Sequence, residues 1–142
     1  MSKKILIVNA NYYSSISSNL IVKCKEKLKS NNFKISIVHA PGCFEIPILI
    51  IKNIKKFDGF IALGCVIKGK TPHFDLICNS VFNSILQISI IFNKPVGNGI
   101  ITCLNLNQAQ ERSGLKTNKV PNKGEESAKA IISVLKNEPK NT

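Results

Sequence analysis

The chain has 142 residues, 44% of them hydrophobic, and a formal charge of +12. A chain of this length and composition forms one domain with its own core, expected to span 1–142 with a polar tail from about 137, and needs no metal or disulfide to hold it. Nineteen of its twenty basic residues are scattered lysines, and without clustered cations and exposed aromatics no nucleic acid partner is expected.

The opening "KKILIV" (3–8) reads as a strand that ends in the polar turn "NANYYSS". It puts two lysines before only four apolar residues, too few for a signal peptide. "SSNLIVKCKEKLKSNN" carries Leu20, Ile21, Cys24 and Leu28 at helical spacing. Ser17 or Ser18 is the expected N-cap and Asn31 or Asn32 the stop. "FKISIV" (33–38) alternates and is β-branched, so it is a second strand. "HAPGCFE" (39–45) breaks it, and "IPILIIKNIKKF" (46–57) is a helix with Pro47 in its first turn. "DGFIAL" (58–63) is a third, fully buried strand. After "GCVIKGKTPH" comes a long apolar helix over 74–93. "KPVGNGIITCL" (94–104) is a fourth strand and "NLNQAQERSG" a short helix. "LKTNKVPNKG" is a loop and "EESAKAIISVLK" (125–136) the last helix.

Strands alternating with helices predict a three-layer α/β/α fold around a four-stranded parallel sheet, with ligands at the carboxyl ends of the strands. The helix over 74–93 is too apolar for the fold alone to cover, which suggests a subunit interface. No uninterrupted apolar span of about 18 residues occurs, so no transmembrane helix and no membrane partner are expected. Five cysteines without a CxxC pair, beside two histidines, argue against a zinc site. Reduced thiols and a cytoplasmic location are expected instead.

Several polar residues fall at the strand ends. His73 is the one acid–base candidate near neutral pH, although a histidine there also suits the cap of the next helix. Gly69, Lys70 and Thr71, just before a helix, offer N–H groups, a cation and a hydroxyl to an anion. The letters "GCVIKGKT" (64–71) also fit the phosphate-loop pattern. That pattern needs its Lys-Thr to open a helix directly. Here Pro72 holds Thr71 away from helical geometry. Arg112 is the only arginine, and its guanidinium suits a phosphate. Tyr12 offers a ring for stacking, Glu45 a carboxylate at a helix start, and Lys123 a further cation. Two readings remain: an enzyme using His73, and a non-catalytic, flavodoxin-like binding module for a phosphorylated ligand.

"APGCFEIP", "GCVIKGKTPHFD", "KPVGNGIIT", "QAQERSG" and "NKGEESA" together resemble the 6,7-dimethyl-8-ribityllumazine synthase family, in its order and spacing from about Ile5 to Leu135. The resemblance implies a flavodoxin-like topology. It implies condensation of 5-amino-6-(D-ribitylamino)uracil with L-3,4-dihydroxybutan-2-one 4-phosphate, without cofactor or metal. It implies His73 as the proton-transfer residue and Tyr12 stacked on the pyrimidine. Cys43, Phe44 and Glu45, with Cys65, Val66 and Ile67, would bind the uracil substrate, and Lys70 and Thr71 the phosphate. Asn98 and Arg112 would come from a neighbouring subunit, with Lys123 nearby in the same shared site, so the resemblance also implies a homo-oligomer, a pentamer with sites at subunit interfaces. Two positions depart from the family pattern: Tyr13 stands where many members have Asn, and Asn98 where some have an aromatic. The short start "MSKK" and the long connection "LKTNKVP" suggest assembly stopping at a pentamer, or a pair of them, rather than a sixty-chain shell.

Overall fold

The four apolar runs form the strands β1 (Lys4–Ala10), β2 (Lys34–Ala40), β3 (Gly59–Ile67) and β4 (Val96–Cys103). The structure is a computed structural model and describes residues 2–115 and 120–142. The strands lie in the order β2-β1-β3-β4, and every pairing is parallel. Between and after them run α1 (Ser14–Lys29), α2 (Ile46–Lys52), α3 (His73–Phe92), α4 (Leu106–Arg112) and α5 (Lys123–Lys136). This is the expected three-layer, flavodoxin-like arrangement.

Every residue of β1 after Lys4 is buried, because helices cover both faces of the sheet. Alternate side chains enter different cores. Ile5 and Ile7 join Leu20 and Leu28 of α1 and Ile131 of α5. Leu6, Val8 and Ala10 join Ile46 and Ile50 of α2 and Val81 and Ile85 of α3.

Some boundaries differ from those expected, each for a local reason. Helix α1 starts at Ser14, so Ser17 is not its cap. Ser17 is buried a turn inside, and its hydroxyl donates to the carbonyls of Tyr13 and Ser14, each at 3.3 Å. Asn32 does mark the stop, with a left-handed φ of 63°. Helix α2 ends at Lys52 instead of running to 57, and Asn53 Nδ2 donates to the Leu49 carbonyl at 2.8 Å as the chain turns. Strand β3 continues four residues past Leu63, because β4 pairs with it as far as Ile67↔Cys103. Helix α5 opens at Lys123 rather than 125. Asn122 caps it, its Oδ1 accepting from the N–H groups of Gly124 and Glu125 at 2.8 and 3.1 Å. Residues 116–119, within the connection whose length was expected to limit assembly, lie outside the described residues.

Gly124 lets α5 lie directly on α1. A methyl group there would land on the Leu20 carbonyl oxygen, which is backbone and cannot swing aside. Gly124→Ala is therefore expected to lower stability by about 1–3 kcal/mol, as overpacking does. Thermal melts should show a loss of several degrees, and an unchanged melt would mean that the helices separate freely.

Helix α3 connects β3 to β4 and seats Val81, Ile85 and Ile88 on the sheet. Its outer face exposes Leu76, Leu86, Ile90 and Ile91. By length and composition it is apolar enough to cross a membrane, since an 18-residue window averages 1.4 in hydropathy. That goes beyond the sequence expectation, although Asn79, Ser80, Asn83, Ser84 and Gln87 interrupt the apolar run.

Candidate active site

The strand order reverses between β1 and β3, because β2 lies to one side of β1 and β3 to the other. Open α/β sheets bind ligands at the carboxyl ends of the strands at such a point. A cleft of about 270 Å³ opens there. Tyr12 and Tyr13 reach it from the turn after β1, and Cys43 and Phe44 from a short 3-10 turn (Cys43–Glu45) after β2. Cys65, Val66 and Ile67 come from the last residues of β3. His73, the first residue of α3, and Ile77 one turn later close the far side. The 3-10 turn fits this closely because position 64 is glycine. A Cβ there would stand 2.7 Å from Cys43 Sγ and 3.1 Å from the Ala10 Cβ.

The cleft floor is apolar, while two large aromatics remain uncovered at its mouth. Tyr12 is 71% exposed and Phe44 65%. Exposed rings over an apolar floor suit a flat ligand with a polar rim. His73 is exposed, and Pro72 stands before it as the residue that starts α3. Asp75 follows in the first turn of α3, and among the described residues no hydrogen bond joins it to His73.

A second pocket, of about 260 Å³, lies along β4, one of the two edge strands of the sheet. Asn98 and Thr102 of β4 line it, with Arg112 at the end of α4 and Lys123 at the start of α5. Asn98 Oδ1 accepts from the Ile100 N–H at 3.1 Å. Lys123 Nζ lies 3.6 Å from Glu126 Oε2, one turn along α5, an ion pair half open to solvent. Arg112 makes no salt bridge among the described residues. Guanidinium and ammonium groups beside a polar strand edge make this pocket fit for an anion.

The sequence candidates thus fall into two groups. Tyr12, Cys43, Phe44, Cys65, Val66, Ile67 and His73 share one cleft. Asn98, Arg112 and Lys123 share the other. Glu45, Lys70 and Thr71 line neither: Glu45 ends the 3-10 turn and leads into α2, while Lys70 and Thr71 are exposed in the loop before α3. The first half of "GCVIKGKT" is strand, with Gly64↔Ile100 to Ile67↔Cys103 paired, and the helix opens only at His73. A phosphate-wrapping loop is therefore absent there. Reasoning from the sequence passed over Ile77 and Glu126 as lining residues. Helical spacing was the available signal, since each stands three or four places beyond a candidate that was named.

Burial pushes the thiols of Cys43 and Cys65 up to about 12, and Cys103 adds to the effect at Cys65. Cys24, buried between α1 and the sheet, is likewise raised to about 12. Thiols with so little thiolate are packing groups and not nucleophiles. The sign of the linkage follows. A thiol titrating near 9 when unfolded and near 12 when folded holds its proton more tightly in the fold. The stability it contributes is complete below pH 9 and is lost as pH rises toward 12. Melting temperatures are expected to fall over that interval, and Cys24→Ala should flatten the fall. Equal slopes for the two proteins would contradict it.

A profile of the family described as 6,7-dimethyl-8-ribityllumazine synthase matches residues 2–138. Proteins carrying that name resemble the chain along most of their length. The one from Leuconostoc mesenteroides is 39% identical over 139 residues, covering 94% of this chain and 87% of its own. The one from Limosilactobacillus reuteri is 34% identical, covering 94% and 88%. The one from Buchnera aphidicola is 39% identical, covering 94% and 86%.

Proposed function

The chain belongs to the 6,7-dimethyl-8-ribityllumazine synthase family, and on that premise we propose a site completed between two copies of the chain, with His73 moving protons and Arg112 of the neighbour holding phosphate. The protein is an enzyme of riboflavin biosynthesis. It condenses 5-amino-6-(D-ribitylamino)uracil with L-3,4-dihydroxybutan-2-one 4-phosphate to 6,7-dimethyl-8-ribityllumazine, phosphate and water. The alternative of a binding module without catalysis is not favoured by this family.

The observation that carries the shared site is the division of the candidates into two pockets. One holds an apolar floor, two exposed rings and a histidine. The other holds the arginine, at a sheet edge. A reaction that joins a flat pyrimidine to a phosphorylated ketone needs both sets. If the edge of one chain is laid beside the switch-point cleft of the next, the phosphate ion site and the ring site become one.

In that site Tyr12 stacks on the pyrimidine. Cys43, Phe44 and Glu45, with Cys65, Val66 and Ile67, enclose the uracil and its ribityl chain. Lys70 and Thr71, exposed in the loop before α3, meet the phosphate from one side, and the neighbour's Arg112, Asn98 and Lys123 from the other. The uracil amine attacks the ketone and an imine forms with loss of water. Phosphate leaves, and the ring closes with loss of a second water. His73 carries protons between nitrogen, carbon and oxygen in these steps. Holding the two reactants together supplies much of the remaining rate.

The assembly we propose is a pentamer, with the exposed face of α3 buried between chains. Leu76, Leu86, Ile90 and Ile91 are the residues that gain cover. Five chains of 15.6 kDa give 78 kDa. All five cysteines are free thiols, in keeping with a reducing, cytoplasmic compartment. Native mass spectrometry, with visible absorbance to follow the coloured product, tests the reading. A species at 78 kDa that forms lumazine is expected, and a fully active monomer would overturn the shared site.

A further inference from the structure

The chain has two tyrosines and no tryptophan, and both tyrosines stand side by side at the first cleft. Their ring centroids are 4.9 Å apart with planes at 52°. Otherwise they differ. Tyr12 is 71% exposed. Tyr13 is half-buried and packs against the core that holds Cys65 and Cys103. Its backbone starts α1, and its carbonyl accepts from the Ser17 N–H at 3.0 Å and from the Ser17 hydroxyl at 3.3 Å. Burial, with Cys65 nearby, raises its phenol above the ordinary value of 10, in keeping with a ring set into the protein.

An exposed aromatic on a turn samples several rotamers, and each must be given up when a ligand stacks on it. A neighbouring ring that is itself fixed limits that sampling, and tilted aromatic pairs attract beyond their shared area. We propose that Tyr13 is a positioning residue: anchored in the core, its ring holds the exposed Tyr12 ring over the cleft in the orientation that stacks on the uracil substrate. This rests on the reading that Tyr12 stacks on that substrate. It also gives a role to the position where the chain departs from the family's Asn. The ring does the work, so the phenol hydroxyl is dispensable.

The test is a double-mutant cycle with steady-state kinetics on both substrates. Tyr13→Ala is expected to raise KM for the uracil about three- to tenfold, the range of an aromatic pair. The KM for the butanone phosphate and kcat should stay within about twofold. Tyr13→Phe, which keeps the ring, should lose much less than Tyr13→Ala. Tyr13→Leu, which keeps the core filled if Tyr13→Ala fails to fold, should behave as Tyr13→Ala is expected to. With Tyr12→Ala already present, Tyr13→Ala should add nothing, because Tyr13 acts only through Tyr12.

A spectroscopic arm reads the positioning directly. In Tyr13→Phe and Tyr13→Leu all tyrosine emission comes from Tyr12, and its anisotropy should be higher in the Phe protein. Losses that multiply in the double mutant, a Leu protein indistinguishable from wild type, or equal anisotropies would each overturn the proposal while leaving the stacking of Tyr12 intact. A Tyr12→Ala protein with unchanged KM for the uracil would instead overturn the stacking reading and this proposal with it.

Discussion

Replacing His73 with alanine is expected to lower kcat by about 10²-fold while the fold and the assembly persist. General acid–base catalysis contributes about 10²–10⁴-fold in most enzymes. The lower end applies here because the variant keeps both binding clefts, and proximity supplies a large part of the rate without any proton carrier. The fold should tolerate the change. His73 is exposed at the first position of α3, and Pro72 before it makes no side-chain cap that the histidine supports. KM for both substrates should move little, because the imidazole acts on bonds that change in the transition state. Steady-state kinetics at saturating substrate, with the native mass checked in parallel, decide the matter. An unchanged kcat would remove His73 from the mechanism.

Arg112→Ala is expected to act on the other substrate. A guanidinium holding phosphate in two-pronged fashion is worth about ten- to a hundredfold in binding, as hydrogen bonds to charged groups are. KM for the butanone phosphate should rise by that factor, and KM for the uracil much less. Arg112→Lys should recover part of the loss, since charge returns without the fork. The more telling experiment mixes subunits. Arg112 lines the β4 pocket while His73 lines the switch-point cleft. If each site takes its histidine from one chain and its arginine from the next, Arg112→Ala and His73→Ala subunits complement each other. In a random equal mixture, half the sites draw an intact histidine and half an intact arginine, so about a quarter are complete. At butanone phosphate well below the wild-type KM, where each variant alone is slow, activity near a quarter of wild type is expected after co-assembly. Activity no higher than the mean of the two variants would mean that each chain builds its site alone.

Local pattern sufficed for a good part of this molecule. The alternation of β-branched runs with helical stripes determined a parallel sheet with helices on both faces, because a strand buried on both sides has to be apolar throughout. "KILIVNA" and "GFIALGCVI" are such strands. The same alternation placed the turns after β1, β2 and β3 at one end of the sheet. Tyr12, Cys43 and His73 were therefore legible as neighbours although 61 positions separate the first from the last (73 − 12). The family's motifs added Asn98, whose residue type alone would pass for solvated surface, and drew Arg112 and Lys123, already singled out as cations, into the same site.

What only the tertiary structure decided depends on partners distant in sequence. Strand β3 runs on to Ile67 because β4 extends beside it; the β-branched Val66 and Ile67 suit a strand, but the partners that pair with them are distant in sequence. Helix α5 lies directly on α1 because Gly124 leaves room for the Leu20 carbonyl, a neighbour in space and not in sequence. The separation of the candidates into two pockets, which the resemblance implied by assigning some of them to a neighbouring subunit, has its physical cause in the sheet. Residue type records what chemistry a side chain offers, but the distance between two side chains is set by strand order and crossover. In the order β2-β1-β3-β4, β4 becomes an edge strand, and the second pocket lies along it.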